Sequence, residues 1–203
     1  MAKIITLSHQ KGGVGKSSLV LNLAYSFKEH LSTAIVDLDV QGTISQLRPL
    51  IKGIDVISGV SNLESLMQLP YDVIFVDTPP YLSSNLPQLF KISDLVIIPT
   101  KAGIADLMAI RATISLLQEA SKENALIKKA IVFNMIKSSS NITGEIKKIV
   151  EEYTVPVFKQ MVTDRVSFAR SLAIENGIYG MEDTKAQEEI DLLTEEIIEF
   201  LNN

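Results

Sequence analysis

A chain of 203 residues is long enough for one α/β domain with a sizeable core and too short for two full domains, so residues 1–203 are read as a single domain. Apolar residues make up 46% and charged ones 21%, and the absence of cysteine excludes a disulfide framework, a thiolate metal site and an iron–sulfur cluster. The net charge of −5 first argues against nucleic acid, but residues 182–203 hold eight acids against one base, so the preceding 181 residues carry +2 and the total decides nothing.

The chain enters a strand at once, without a charged-then-apolar leader, and its longest apolar runs (Val73–Val76, Leu95–Ile98) are of strand length. The expected location is the cytoplasm.

Apolar or β-branched runs alternate with helical patterns, which predicts a mostly parallel twisted sheet with helices on both faces. Strands are expected near 3–7, 33–37, 54–57, 71–76, 94–98 and 129–133, with a further short one at 155–158. Helices are expected near 16–30, 43–49, 61–68, 84–91, 104–122, 141–153, 165–175 and 185–201. Asn141, ending the polar run Ser138-Ser139-Ser140, suits a helix cap. In the last helix Ile190, Leu193, Ile197 and Phe200 recur at helical spacing. Its polar face carries Glu and Asp where a membrane-surface helix carries Lys and Arg, so it is read as packed on its own sheet.

Between the first strand and the first helix lies Gln10-Lys11-Gly12-Gly13-Val14-Gly15-Lys16-Ser17-Ser18. Glycines at 12, 13 and 15 allow a tight turn with no Cβ facing a phosphate, and successive N–H groups at a helix start form an anion nest. Lys16 is expected to bridge β- and γ-phosphates and Ser17 to offer its hydroxyl to Mg²⁺. The usual G-x-x-x-x-G-K-[ST] pattern needs glycine at position 10, where glutamine stands. Lys11 in the front half is placed to reach across a dimer interface and stabilise charge on a partner's nucleotide, as an arginine finger does.

Residues 11–18 match K-G-G-x-G-K-[ST]-[ST] throughout, so the chain resembles the deviant Walker A ATPases of the ParA/MinD family. The resemblance runs from Lys3 to the C-terminus. It implies a three-layer P-loop NTPase fold, ATP and Mg²⁺ as ligands, and Lys11, Gly12, Gly13, Val14, Gly15, Lys16, Ser17 and Ser18 around the phosphates.

Asp37-Leu38-Asp39-Val40-Gln41-Gly42 is similar to the family's D-x-D-P-Q-[GA], with Val40 in place of proline. By that likeness Asp39 orients the attacking water and Asp37 supports the Mg²⁺ hydration shell. The strand ending at Asp77, followed by Thr78-Pro79-Pro80, resembles a Walker B element, in which Asp77 holds a metal-bound water or Ser17 and 78–80 sense the γ-phosphate. An aspartate after four apolar residues is costly to bury without a cation or hydrogen-bond partner. In the stretch after Ile98, Pro99 and Asp106 match the family's segment at the nucleotide and dimer contact. Asn134 resembles the residue whose amide reads the adenine edge, and a strand-end turn residue serves there nearly as well.

Three functions share these features. The first is a small ParA-type plasmid or chromosome partition ATPase: an ATP-dependent homodimer, associated with the nucleoid through nonspecific double-stranded DNA and stimulated by a ParB-type centromere-binding protein. Its DNA-contact candidates are Lys147, Lys148, Arg165 and Arg170, each of which also reads as scattered surface charge. The second is a MinD-like membrane-cycling ATPase, which needs a basic amphipathic tail; the acidic 182–203 segment argues against it, and no membrane is expected as a partner. The third is a metabolic or metal-insertion enzyme on the same fold, for which thiolates are lacking and only His9 and His30 are present. A non-plasmid cargo-positioning relative of ParA is a further alternative.

Overall fold

Six strands pair in register, all parallel, in the order β3-β2-β4-β1-β5-β6. They are β1 (Lys3–Leu7), β2 (Thr33–Asp37), β3 (Asp55–Ser58), β4 (Val73–Asp77), β5 (Leu95–Thr100) and β6 (Lys128–Phe133). The computed structural model describes residues 2–39, 42–137 and 144–203. Val40, Gln41 and the expected cap at Asn141 therefore lie outside the described residues, as does the side chain of Lys147.

Both faces of the sheet are buried, which is why its strands read as near-continuous apolar runs. Side chains alternate between two cores. Ile5, Leu7, Val73 and Phe75 face one, with α1 (Lys16–Lys28) and the C-terminal helix, while Ile4, Ile74 and Val76 face the other. On that second face lie α3 (Leu86–Ile92), α4 (Ile104–Glu123) and α5 (Gly144–Glu151). The remaining α-helices are α2 (Thr43–Gln46), α6 (Val166–Ser171) and α7 (Thr184–Asn202), which Asp183 caps by accepting from Ala186 N–H at 3.1 Å. Lys128 closes the other end of α7, its Nζ donating to the carbonyls of Phe200 (2.8 Å) and Leu201 (2.9 Å).

Three expectations need correction. The helix expected at 61–68 is a 3₁₀ turn, Leu63–Gln68, because its buried residues Leu63 and Leu66 recur at the three-residue period. The helix at 165–175 stops at Ser171, and the chain then turns through left-handed Asn176 (φ 65°) and Gly177 (φ 59°). The strand at 155–158 is reduced to one isolated bridge, Val157 to Ile131 of β6, with a second bridge farther on between Thr163 and Ile136. Pro99 inside β5 is tolerated because its missing N–H faces the β1 side, where β1 pairs with β5 only as far as Leu7 and Ile97.

Candidate functional site

Parallel register puts the strand ends at one level: Leu7 pairs with Asp77, and Asp77 with Asp37. This is the carboxyl edge of the sheet, and strand order reverses at β1, so ligands are expected there. The chain leaves β1 at Leu7 and reaches α1 through residues 8–15. Gly13 (φ 72°) and Gly15 (φ 83°) lie in the left-handed region, and a Cβ on Gly15 would collide with the Asn134 amide. Gly12 and Gly13 are exposed and Val14 is buried, so the loop opens to solvent on one side and is anchored on the other.

The sequence-predicted phosphate and metal residues converge. Ser17 Oγ donates to Asp77 Oδ2 at 2.5 Å. Asp77 is raised to about 7, chiefly by burial and with help from Asp37 and Asp39, against the Ser17 hydrogen bond and the Lys16 charge. Its other oxygen, Oδ1, is buried without a partner. Lys16 is buried too; desolvation pushes its amine down, while Asp77 and Asp39 pull it up. Of the six unpartnered buried side-chain atoms among the described residues, four belong to this edge: His9 Nε2, Gln10 Nε2, Ser45 Oγ and Asp77 Oδ1. Such a concentration marks groups whose partners come with a ligand. A hard divalent cation, which takes oxygen donors, fits Ser17 and Asp77, and a phosphate chain fits Lys16 and the loop N–H groups.

The other expected residues are placed less simply. Asp37 uses both oxygens on backbone N–H groups, Asp39 at 3.0 Å and Ser45 at 2.8 Å, so it shapes the 37–45 turn. Asp39 is half-buried and lines the cavity on the Lys16 side. Asn134 donates from Nδ2 to Val14 carbonyl at 2.7 Å, which ties the end of β6 to the phosphate loop. Ser18 Oγ donates to Phe168 carbonyl at 3.0 Å. Lys11 Nζ pairs within the same chain with Asp106 Oδ1 at 2.5 Å, at the start of α4. Lys11 N–H donates to His9 Nδ1 at 2.8 Å, and burial, then the Lys16 charge, lowers His9 to about 4.

A cavity of about 370 Å³ extends from the loop toward Met135, Val162–Arg165, Phe168, Ala169 and Leu172. Arg165 is one of the four DNA-contact candidates of the sequence. It lines this cavity and is paired with Glu189 at 2.8 Å, with Asp183 at 3.9 Å. Lys148 and Arg170 are exposed. The cavity's far wall was missed as a site element because its residues are neither glycine-rich nor charged in a recognisable spacing.

A phosphate nest, a carboxylate-held hydroxyl and an elongated cavity on a parallel sheet are the parts of a nucleotide site. The sequence profile of the CobQ/CobB/MinD/ParA nucleotide binding domain matches residues 5–177. The chain belongs to this family. "Maintenance of carboxysome distribution protein A" of Halothiobacillus neapolitanus is 27% identical over 209 residues, covering 96% of this chain and 95% of its own. Among solved structures, a plasmid partition protein of Borrelia burgdorferi B31 bound to AMPPNP superposes with a TM-score of 0.75 at 20% identity, covering 98% of this chain and 99% of that one. The structure of pNOB8 ParA bound to nonspecific DNA gives 0.70 at 15% identity, covering 100% and 99%. These two likenesses establish the shared fold.

Proposed function

We propose that the protein is a ParA-type ATPase that dimerises on binding ATP with Mg²⁺, holds nonspecific DNA in that state, and is reset when a partner bound to a centromere or cargo stimulates hydrolysis. The observation that carries the reading is the convergence of Lys16, Ser17 and Asp77 behind a glycine loop with Lys11 at its exposed mouth. Lys16 and the loop N–H groups bind the phosphates, and Ser17 and Asp77 hold the cation, which neutralises charge on the triphosphate when bound. Asp39, on the Lys16 side of the cavity, orients the attacking water.

A homodimer is supported by what surrounds the loop. Gly12 lies against Pro80, which leads into Tyr81 and Leu82, both about half exposed at 49% and 56%. Asp106, which holds Lys11, is flanked by Ile104 and Met108, exposed at 45% and 52%. Apolar side chains on both sides of a cationic mouth suit a second copy of the same face. Lys11 must then leave Asp106 to reach the partner's triphosphate.

The relatives' names favour two different roles. The carboxysome-distribution protein is similar over nearly its whole length, which supports cargo positioning, whereas the Borrelia partition protein and the DNA-bound ParA share the fold and support DNA segregation. We favour partition, with Lys147, Lys148 and Arg170 as the DNA-contact candidates. A plasmid-loss assay separates the two: partition requires stable inheritance that deletion of the gene abolishes. Membrane cycling is disfavoured because α7 carries acids on its polar face, where a membrane-surface helix carries bases.

The direct test is retention on nonspecific duplex DNA with light scattering, in ATP and in ADP. The parent should dimerise and bind DNA only in ATP. Lys11→Ala should lose hydrolysis and the stable dimer, and Asp39→Ala should keep ATP and stay on DNA. A parent that remains monomeric and off DNA with saturating ATP overturns the reading.

A further inference from the structure

The carboxylates of α7 take the place of a missing seventh strand. Beyond β6 the chain runs irregularly from 156 to 164, and on one side it bonds to β6 and its extension: Phe158 N–H to Ile131 carbonyl, Val162 N–H to Phe133 carbonyl and Asp164 N–H to Ile136 carbonyl. Among the described residues no strand meets the outward N–H groups. Lys159 and Gln160 donate theirs to the two oxygens of Glu196 (2.7 and 2.9 Å), and Thr163 donates to Glu189 (2.9 Å). Residues 189 and 196 are seven apart, two turns of one helix face and about 10.5 Å. Three extended residues cover about the same distance, so the spacing of Gln160 and Thr163 matches.

Of these two supports, only Glu189 holds residues that line the nucleotide cavity. It accepts the Thr163 N–H, the Thr163 hydroxyl at 2.8 Å and the Arg165 guanidinium at 2.8 Å. Thr163 and Arg165 line the cavity from outside the phosphate loop, whereas Lys159 and Gln160 do not line it. Two residues tied to one charged group cannot move independently, and hydrogen bonds to a charge are the stronger kind.

We propose that Glu189 is a positioning residue for the base-and-ribose end of the bound nucleotide, acting through Thr163 and Arg165 without touching the ligand. The acidic helix is thereby part of the nucleotide site. The inference rests on the reading that the cavity holds ATP with its phosphates at Lys16.

The test compares ATP with inorganic tripolyphosphate, each with Mg²⁺, by calorimetry on the full chain. Tripolyphosphate probes the phosphate end alone. Glu189→Gln should weaken ATP about tenfold, the loss expected for one charged hydrogen-bonding anchor, and leave tripolyphosphate within about twofold. Glu196→Gln is the structural control: it loosens the same segment away from the cavity, so it should lower the melting temperature yet preserve the ratio of the two affinities. Unchanged ATP binding by Glu189→Gln, an equal loss for both ligands, or an equal change of the ratio in both variants would overturn the proposal. Should the parent itself bind ATP no more tightly than tripolyphosphate, the cavity does not hold a base and the underlying reading fails instead.

Discussion

The two ends of the cavity are built on opposite principles. At the phosphate end the polar groups are left short of partners: Asp77 Oδ1, His9 Nε2 and Gln10 Nε2 are buried with nothing to bond. At the far end the segment from Lys159 to Ser171 is tied down by partners from elsewhere. Glu189 and Glu196 hold its backbone, and Asn22 reaches Ser171 Oγ at 2.9 Å while accepting Ile178 N–H at 2.8 Å. An unfinished site stores desolvation cost that a ligand relieves, whereas a finished wall contributes shape. The phosphate end is therefore where function works against stability, and the far end is where the two coincide.

Substitution of Asp77 gives the largest expected effect and separates these demands. A carboxyl raised by burial binds protons in the folded state that it releases when unfolded, so its contribution to stability falls as pH rises from about 4 to about 7. Asp77→Asn removes that fall. The ligand-free variant should melt higher than the parent at pH 8 and no higher at pH 4, while Mg²⁺-dependent hydrolysis drops about a hundredfold, as for loss of a group that orients a metal shell. Calorimetric melts at both pH values with a phosphate-release assay check it. A variant that melts lower than the parent at pH 8 would mean that Asp77 is a structural anchor.

This difference also explains how much was legible in the sequence. The phosphate loop, the strand ends at Asp37 and Asp77 and the order of most elements follow from local patterns: glycines that set φ, β-branched runs, an acid after four apolar residues. Parallel register then brings the strand ends together without further information. The wall depends on contacts whose partners lie 24 to 150 residues apart, such as Arg165 with Glu189 and Ser18 with Phe168. Nothing in the spacing of Glu189 distinguishes it from its solvated neighbours on α7, and Arg165, read alone, is a basic surface residue. Asp106 was noticed as a family match, but its ion pair with Lys11 depends on how α4 starts beside the loop.

Asn134 sharpens the comparison at the seam between the two ends. An adenine reader would matter to ATP alone. The observed bond to Val14 carbonyl instead makes the amide a brace for the phosphate loop, in a space that only glycine at 15 leaves open. Asn134→Ala should weaken ATP and tripolyphosphate alike, by about tenfold, and cost about 1–2 kcal/mol of stability for the stranded carbonyl. The same calorimetric pair used for Glu189 measures it. Loss confined to ATP would return Asn134 to base recognition.

The smallest effect concerns His9, directly before the loop. Its ring accepts the Lys11 N–H, so the folded protein needs that nitrogen unprotonated, and burial with the nearby Lys16 charge lowers the group from 6.5 to about 4. Between those values the unfolded chain binds the proton more readily than the folded one. Stability therefore rises with pH through this window and is lost on acidification from about 6.5 toward 4. His9→Asn keeps a side-chain acceptor and cannot take up a proton there. The gap between the melting curves of parent and variant should change steadily across pH 6.5 to 4, with the parent losing more, and stay constant above pH 7.5. A gap that is flat throughout would show that the ring tolerates its charge, and the Lys11 end of the loop would then not depend on a neutral His9.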